Sequence, residues 1–176
     1  MKRSRKILIT CHCVLNANAK VYPLASVGGV FTDAVSDSIR DGIGLFQLPC
    51  PEVSYLGLDR WGMTREQYDH PNFRNHCREI LKYPMVQIEA FLKAGYRVVG
   101  LIGMDGSPNC GLNYTCEGYS GGEICSLERV AEQTHRLRRV AGKGIFMSIF
   151  LEGMAALGEH PEIRTVAEPM ESPQKP

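Results

Sequence analysis

Cysteine is the residue type through which this chain could do chemistry, because thiolates are both nucleophiles and soft metal ligands. The 176 residues hold seven: Cys11, Cys13, Cys50, Cys77, Cys110, Cys116 and Cys125. An odd number of thiols with no secretion signal argues against a disulfide framework and for metal or catalytic roles. Four of them sit in three distinctive stretches, Cys11-His12-Cys13, Pro49-Cys50-Pro51-Glu52 and Ser107-Pro108-Asn109-Cys110-Gly111. Grouped thiolates suit zinc or iron–sulfur rather than magnesium or calcium. Structural zinc sites are usually built from paired knuckles such as C-x2-C, whereas here a C-x-C and single thiols spread over about a hundred residues. A cubane [4Fe–4S] cluster is normally held by four cysteines, so three would leave one iron open to act as a Lewis acid. On the residues alone both metals stay open.

The elements that must position these thiols follow from hydrophobic periodicity. Residues 6–10 (KILIT) predict a buried strand that runs into Cys-His-Cys. Phe31, Ala34, Val35 and Ile39 share one helical face, with Gly42 as the stop. Residues 43–48 predict a second strand closed by Pro49 and Pro51. After a turn-rich stretch, Phe73, Cys77, Ile80, Leu81, Ile88, Phe91 and Leu92 recur at helical spacing, and Pro84 is expected to kink or divide that helix. Residues 97–104 (RVVGLIGM) predict the third strand, followed by a dense turn and then loop up to Gly122. Helices are expected over 127–140 and 145–157, and a last strand over 163–167.

Strands alternating with helices imply right-handed crossovers. The expectation is therefore an α/β, single-domain, three-layer Rossmann-like fold, its central, mostly parallel sheet flanked by helices, over residues 1–167, with a polar, Pro-rich tail at 168–176. In such folds ligands bind outside the carboxyl ends of the strands. Cys11 and Cys13 follow the first strand, Cys50 the second, and Ser107 with Cys110 the third, so three loops deliver thiols to one edge.

Three blocks, Cys11-His12-Cys13-Val14-Leu15-Asn16, Cys50-Pro51-Glu52-Val53 and Gly106-Ser107-Pro108-Asn109-Cys110-Gly111, resemble in order and spacing the signatures of the bacterial thiouracil desulfurase family. The likeness spans most of the domain, and the CPE and GSPxCG pair is its most specific part. The resemblance implies a [4Fe–4S] cluster held by Cys13, Cys50 and Cys110, with Glu52 and Ser107 as catalytic residues. It implies hydrolytic removal of sulfur from a thiolated small molecule: the open iron binds the soft thiocarbonyl sulfur, Glu52 acts as general base for water, and Ser107 orients the substrate or relays a proton. The family follows CPE with Gly-Gly-Leu-Pro-x-Pro-Arg, where this chain reads Ser54-Tyr55-Leu56-Gly57-Leu58-Asp59-Arg60-Trp61-Gly62, a segment expected to line the substrate pocket. Asn16 stands where the family has a small glycine. Cys11 and Cys116 are the candidates for a fourth thiolate. A closed site would make the protein a non-catalytic zinc or iron–sulfur module instead.

Ordinary roles are expected elsewhere. Cys77 falls on an apolar helical face and Cys125 beside Leu127, both as packing residues. His12 could ligate, although a histidine at a strand end is more often a hydrogen-bonded loop residue; His70, His76, His135 and His160 have no partner spacing. Trp61, Tyr55 and Tyr68 could stack on a flat heterocycle, with packing as their default role. Hydrophobic residues at 44%, charged residues at 22% and a net charge of +1 fit a globular domain. The basic residues Lys2, Arg3, Arg5, Lys6 and Arg136, Arg138, Arg139 read as solvated faces, so no nucleic-acid partner is expected. No apolar run approaches the roughly 18 to 20 residues of a membrane span. A cytoplasmic protein is expected, acting on a small thiolated molecule as a monomer or a homodimer, without nucleic-acid or membrane partners.

Overall fold

A computed structural model describes residues 3–119, 121–123 and 125–167. The expected tail at 168–176 lies outside them. Four parallel strands form the central sheet: β1 (Lys6–Thr10), β2 (Gly44–Gln47), β3 (Arg97–Asp105) and β6 (Ile163–Ala167), in the order β2-β1-β3-β6. The expected mixed α/β architecture is the observed one. Strand β1 pairs on both edges and is buried from Ile7 to Thr10, which is why KILIT is almost continuously apolar rather than alternating.

Helices α1 (His12–Leu15), α2 (Thr32–Arg40), α3 (Pro51–Leu56), α4 (Arg65–Tyr68), α5 (Pro71–Lys93), α6 (Leu127–Arg136) and α7 (Ile145–Ala156) flank the sheet, with a 3-10 turn at Ala17–Ala19. Helix α5 buries Phe73, Cys77, Leu81, Pro84 and Ile88, spaced three or four apart, and leaves its other face charged. Helix α7 buries Ile145, Phe146, Met147, Ile149, Phe150 and Met154 and packs against α5. Each such large side chain taken from water contributes roughly 1.5–3 kcal/mol.

Several expectations need correction. Pro84 does not divide α5, which runs unbroken for 23 residues; Pro84 itself is buried, and packing of the apolar face outweighs the one hydrogen bond lost. The stretch after Pro49 is not only a strand stop, because Pro51 opens α3 at the position where a missing N–H costs nothing. The loop expected up to Gly122 contains β4 (Tyr114–Glu117), and the helix expected over 127–140 ends at Arg136. Residues Arg138–Ala141 form β5, antiparallel to β4. Pairing decides this against helix propensity: Arg139 lies over the Tyr114 ring at 4.3 Å and 3.9 Å from Asp105, and Arg138 reaches Glu117 at 3.6 Å.

The loop after β3 is the most strongly tied in the molecule. Buried Asp105 accepts hydrogen bonds from the backbone N–H groups of Leu112 (3.0 Å), Asn113 (2.9 Å) and Tyr114 (3.3 Å) and from Asn113 Nδ2 (3.2 Å). Burial by itself would raise its pKa, but the amides of Asn113, Leu112 and Tyr114 outweigh it and hold the carboxyl below the ordinary 3.8. Gly111 is required inside this loop, since a Cβ there would collide with the Tyr114 carbonyl. The first amides of α7 have no side-chain cap, and loop carbonyls satisfy them instead: Gly144 N–H donates to Gly111 (3.0 Å), Ile145 to Pro108 (3.0 Å) and Met147 to Asn109 (3.0 Å).

Asp105→Ala should therefore destabilise the protein by about 3 kcal/mol in urea unfolding at neutral pH, because it strands buried amide donors. A group with a lowered folded-state pKa contributes above its unfolded value and loses that contribution as pH falls through the folded one. The gap between wild type and variant should thus persist at neutral pH and close progressively below 3.8.

Candidate metal centre at the carboxyl edge of the sheet

Each thiol-bearing loop is held by main-chain bonds to its neighbours. Cys11 N–H donates to Ile102 of β3 (2.9 Å), and Leu48 N–H donates to Thr10 (2.9 Å), which sets the loops after β1 and β2 side by side. Cys50 is the N-cap of α3, its sulfur accepting from Val53 N–H at 3.5 Å. Cys110 lies in the clamped loop, where the Ser107 hydroxyl accepts from the N–H groups of Asn109 (3.2 Å) and Cys110 (3.0 Å).

The loops converge. Cys11 and Cys13 sulfurs are 3.6 Å apart, and Cys11 also interacts with the Cys110 thiol. Cys50 lies within electrostatic range of both Cys13 and Cys110. All four thiols are held protonated, for related reasons. Cys11 is raised by its hydrogen bond with Cys110 and by burial, and Cys13 by its hydrogen bond with Cys11 and by burial. Burial raises Cys50, with the Glu52 charge adding to it. At Cys110 the Cys11 hydrogen bond works downward, but burial and the neighbouring Cys13, Cys50 and Glu52 push the thiol up to about 11.

Cys116 does not join this group; its thiol reaches the Met63 carbonyl at 3.9 Å, and burial raises it to about 11. Cys77 is core, and Cys125 is exposed. His12 projects from α1 half-buried, and burial lowers its pKa more than its backbone bond at Leu48 restores it. Trp61 stands in solvent, while Tyr55 packs edge-on against Phe73 with ring centroids 5.2 Å apart.

Glu52, in the first turn of α3, faces the thiols and is fixed from two sides. Its Oε2 accepts from Arg60 Nε and Nη2, both at 3.2 Å, and its Oε1 accepts from Asn109 Nδ2 at 3.0 Å. The Arg60 side chain is only 4% exposed and also donates to the carbonyls of Ala19 (2.7 Å) and Gly57 (3.0 Å). Arg60 and Asn109 are site residues that the sequence reading passed over. Asn109 stood within the GSPNCG block, and Arg60 was visible only as one basic residue in a turn-rich stretch. Tyr68, weighed only for stacking, packs on Phe73 with centroids 4.6 Å apart, and burial, with the nearby Glu52 charge adding to it, raises the pKa of its hydroxyl.

The donor set is one a soft metal group would select: thiols from three loops around a carboxylate that is already ion-paired. Among the described residues, no three His, Cys, Asp or Glu side chains are gathered tightly enough to hold a single ion. The ligand sulfurs of a four-iron cluster stand further apart, roughly 6 to 7 Å from one another. Cys13, Cys50 and Cys110, with Cys11 beside them, fit such a group in residue type and in the loops that carry them.

Fold and site together define a parallel α/β protein with a thiol-lined carboxyl edge. The chain is 35% identical over 108 residues to the uncharacterized protein MJ0003 of the archaeon Methanocaldococcus jannaschii, a match covering 61% of this chain and 69% of that one. It belongs to the same family as that protein. The relative is archaeal, whereas the sequence blocks resemble a bacterial family. No family model and no solved structure matches the chain. Among the described residues no helix is long and apolar enough to cross a membrane.

The Arg60–Glu52 pair gives a test of the site's architecture. Arg60→Ala should cost about 3 kcal/mol in chemical unfolding, because it leaves a buried carboxylate short of its counter-charge. Arg60→Met combined with Glu52→Gln should recover much of that loss.

Proposed function

We propose that this chain is a [4Fe–4S]-dependent desulfidase that removes sulfur hydrolytically from a thiolated small molecule, a thio-nucleobase or related thioamide. Cys13, Cys50 and Cys110 would hold the cluster. The observation that carries the reading is the meeting of thiols from three separate loops beside a partly buried, ion-paired glutamate at the edge where parallel α/β folds bind ligands. Resemblance of the three blocks to thiouracil desulfurases supports it independently.

When bound, a cluster with one open iron supplies a soft Lewis acid for a thiocarbonyl sulfur. The rest falls to the protein. Glu52 is held by Arg60 and Asn109 with its carboxylate toward the thiols, and it takes a proton from the attacking water. The Ser107 oxygen already accepts two backbone N–H bonds, which leaves its own proton free to orient the substrate. The reaction balances as thiocarbonyl plus water giving carbonyl plus hydrogen sulfide, so no oxidant or reductant is consumed.

A second reading has its own observation, the buried Cys11 sulfur 3.6 Å from Cys13. If Cys11 served as a fourth thiolate the site would be closed, and the protein would be a non-catalytic zinc or iron–sulfur module. Anaerobic reconstitution followed by iron, zinc and sulfide analysis separates the two. The desulfidase reading expects sulfide release from 2-thiouracil or 4-thiouracil. It expects Cys13→Ala, Cys50→Ala and Cys110→Ala each to lose iron. Glu52→Gln should keep its iron while turnover drops at least a hundredfold. Zinc in place of iron, or full iron retention in all three cysteine variants, would overturn it.

A further inference from the structure

Among the described residues three buried side-chain polar atoms have no hydrogen-bond partner: Thr10 Oγ1, Tyr68 Oη and Asn109 Oδ1. All three belong to the carboxyl edge. Thr10 precedes Cys11, Asn109 precedes Cys110, and Tyr68 closes α4 next to Glu52. Such orphans are rare in folded proteins and each costs about 1–3 kcal/mol, so their confinement to one place calls for a polar occupant.

Two of them are complementary. The Tyr68 residue is 1% exposed, and its phenol can donate one hydrogen bond. Asn109 has its amide orientation set by Nδ2, which donates to Glu52 Oε1 at 3.0 Å, so Oδ1 is left as a pure acceptor. Glu52 neighbours both: it accepts from Asn109 Nδ2 and acts electrostatically on the Tyr68 hydroxyl. Its Oε2 takes both Arg60 bonds, and Oε1, which accepts only from Asn109 Nδ2, retains a lone pair. A buried water typically makes about three hydrogen bonds, and one donor with two acceptors is the complement it needs. No carbon-only group would use them.

We propose that Tyr68 is a positioning residue of this site: with Glu52 and Asn109 it holds a single water, accepting from the Tyr68 hydroxyl and donating to the Glu52 carboxylate and to Asn109 Oδ1. This rests on the hydrolytic reading for its purpose but not for its geometry. The water is the one Glu52 would activate, aimed by the Tyr68 phenol. Tyr68 lies outside the three blocks on which the desulfurase resemblance rests.

Tyr68→Phe preserves the ring packing on Phe73 and removes only the hydroxyl, so the variant is expected to fold. Urea unfolding of the full-length protein, run as a double-mutant cycle of Tyr68→Phe with Glu52→Gln, reads the bridge without any assay of turnover. A bridged hydroxyl predicts a lowered midpoint for Tyr68→Phe and non-additivity with Glu52→Gln; an orphaned one predicts an unchanged or raised midpoint and simple addition, which would overturn the proposal. In the reconstituted enzyme, Tyr68→Phe should lower kcat for thiouracil roughly tenfold to a hundredfold at unchanged KM and unchanged iron content. Normal kcat in an active Tyr68→Phe enzyme overturns the positioning role while the desulfidase reading stands. Coupling in the cycle alongside a wild type that holds iron but releases no sulfide leaves the water site standing and removes the desulfidase reading.

Discussion

The Asp105 carboxylate is the interaction on which the rest of the site depends. It ends the longest strand of the sheet, gathers three successive amides into one turn, and by doing so sets Cys110, Asn109 and Ser107 in fixed positions. The same turn turns its outer carbonyls to α7, satisfying amides that no side chain caps. One buried charge thus fixes both a sulfur of the centre and the helix whose apolar side chains fill the core beside α5. Close packing at Gly111 and Gly144 leaves this junction little freedom, since a Cβ at either would enter a neighbouring backbone.

Around that junction the centre is built from unlike materials. Its sulfurs are soft and neutral, held protonated by burial and by one another. Its acid is hard and charged, and it is kept in a buried place by an arginine with four donated bonds. The arginine comes from the stretch in which this chain departs from the Gly-Gly-Leu-Pro-x-Pro-Arg pattern of the desulfurases. The counter-charge thus comes from the loop expected to line the substrate pocket, so a substitution there also has to preserve the ion pair.

Much of the fold was legible in sequence because its strongest signals are those that burial writes directly. KILIT, RVVGLIGM and the final IRTVA are short apolar or β-branched runs bounded by turn residues, and each is a strand of the parallel sheet. That Cys11, Cys13, Cys50 and Cys110 share one edge was legible from their positions just after successive strands, since the loops at the carboxyl ends of a parallel sheet lie on the same side. What escaped were features set by partners distant in sequence. Arg138 and Arg139 continue a helical pattern and become strand only because β4 is there to pair with them. Pro84 looked like a break because its cost is local, while the packing that outweighs it is spread over five turns of α5. Arg60 and Tyr68 gave no signal, because a lone arginine or tyrosine gains meaning only from the carboxylate it meets.

The distribution of the centre along the chain has a consequence for when it can exist. Sulfurs from the first third wait on Cys110, whose loop closes on Asp105 and then caps the first amides of α7. A chain emerging from the ribosome therefore carries loose thiols until the loop that closes on Asp105 has been made, and only then presents them as a set. An inorganic group bound by these sulfurs would find its ligands assembled only after that loop, so chains stalled before it would be poor acceptors.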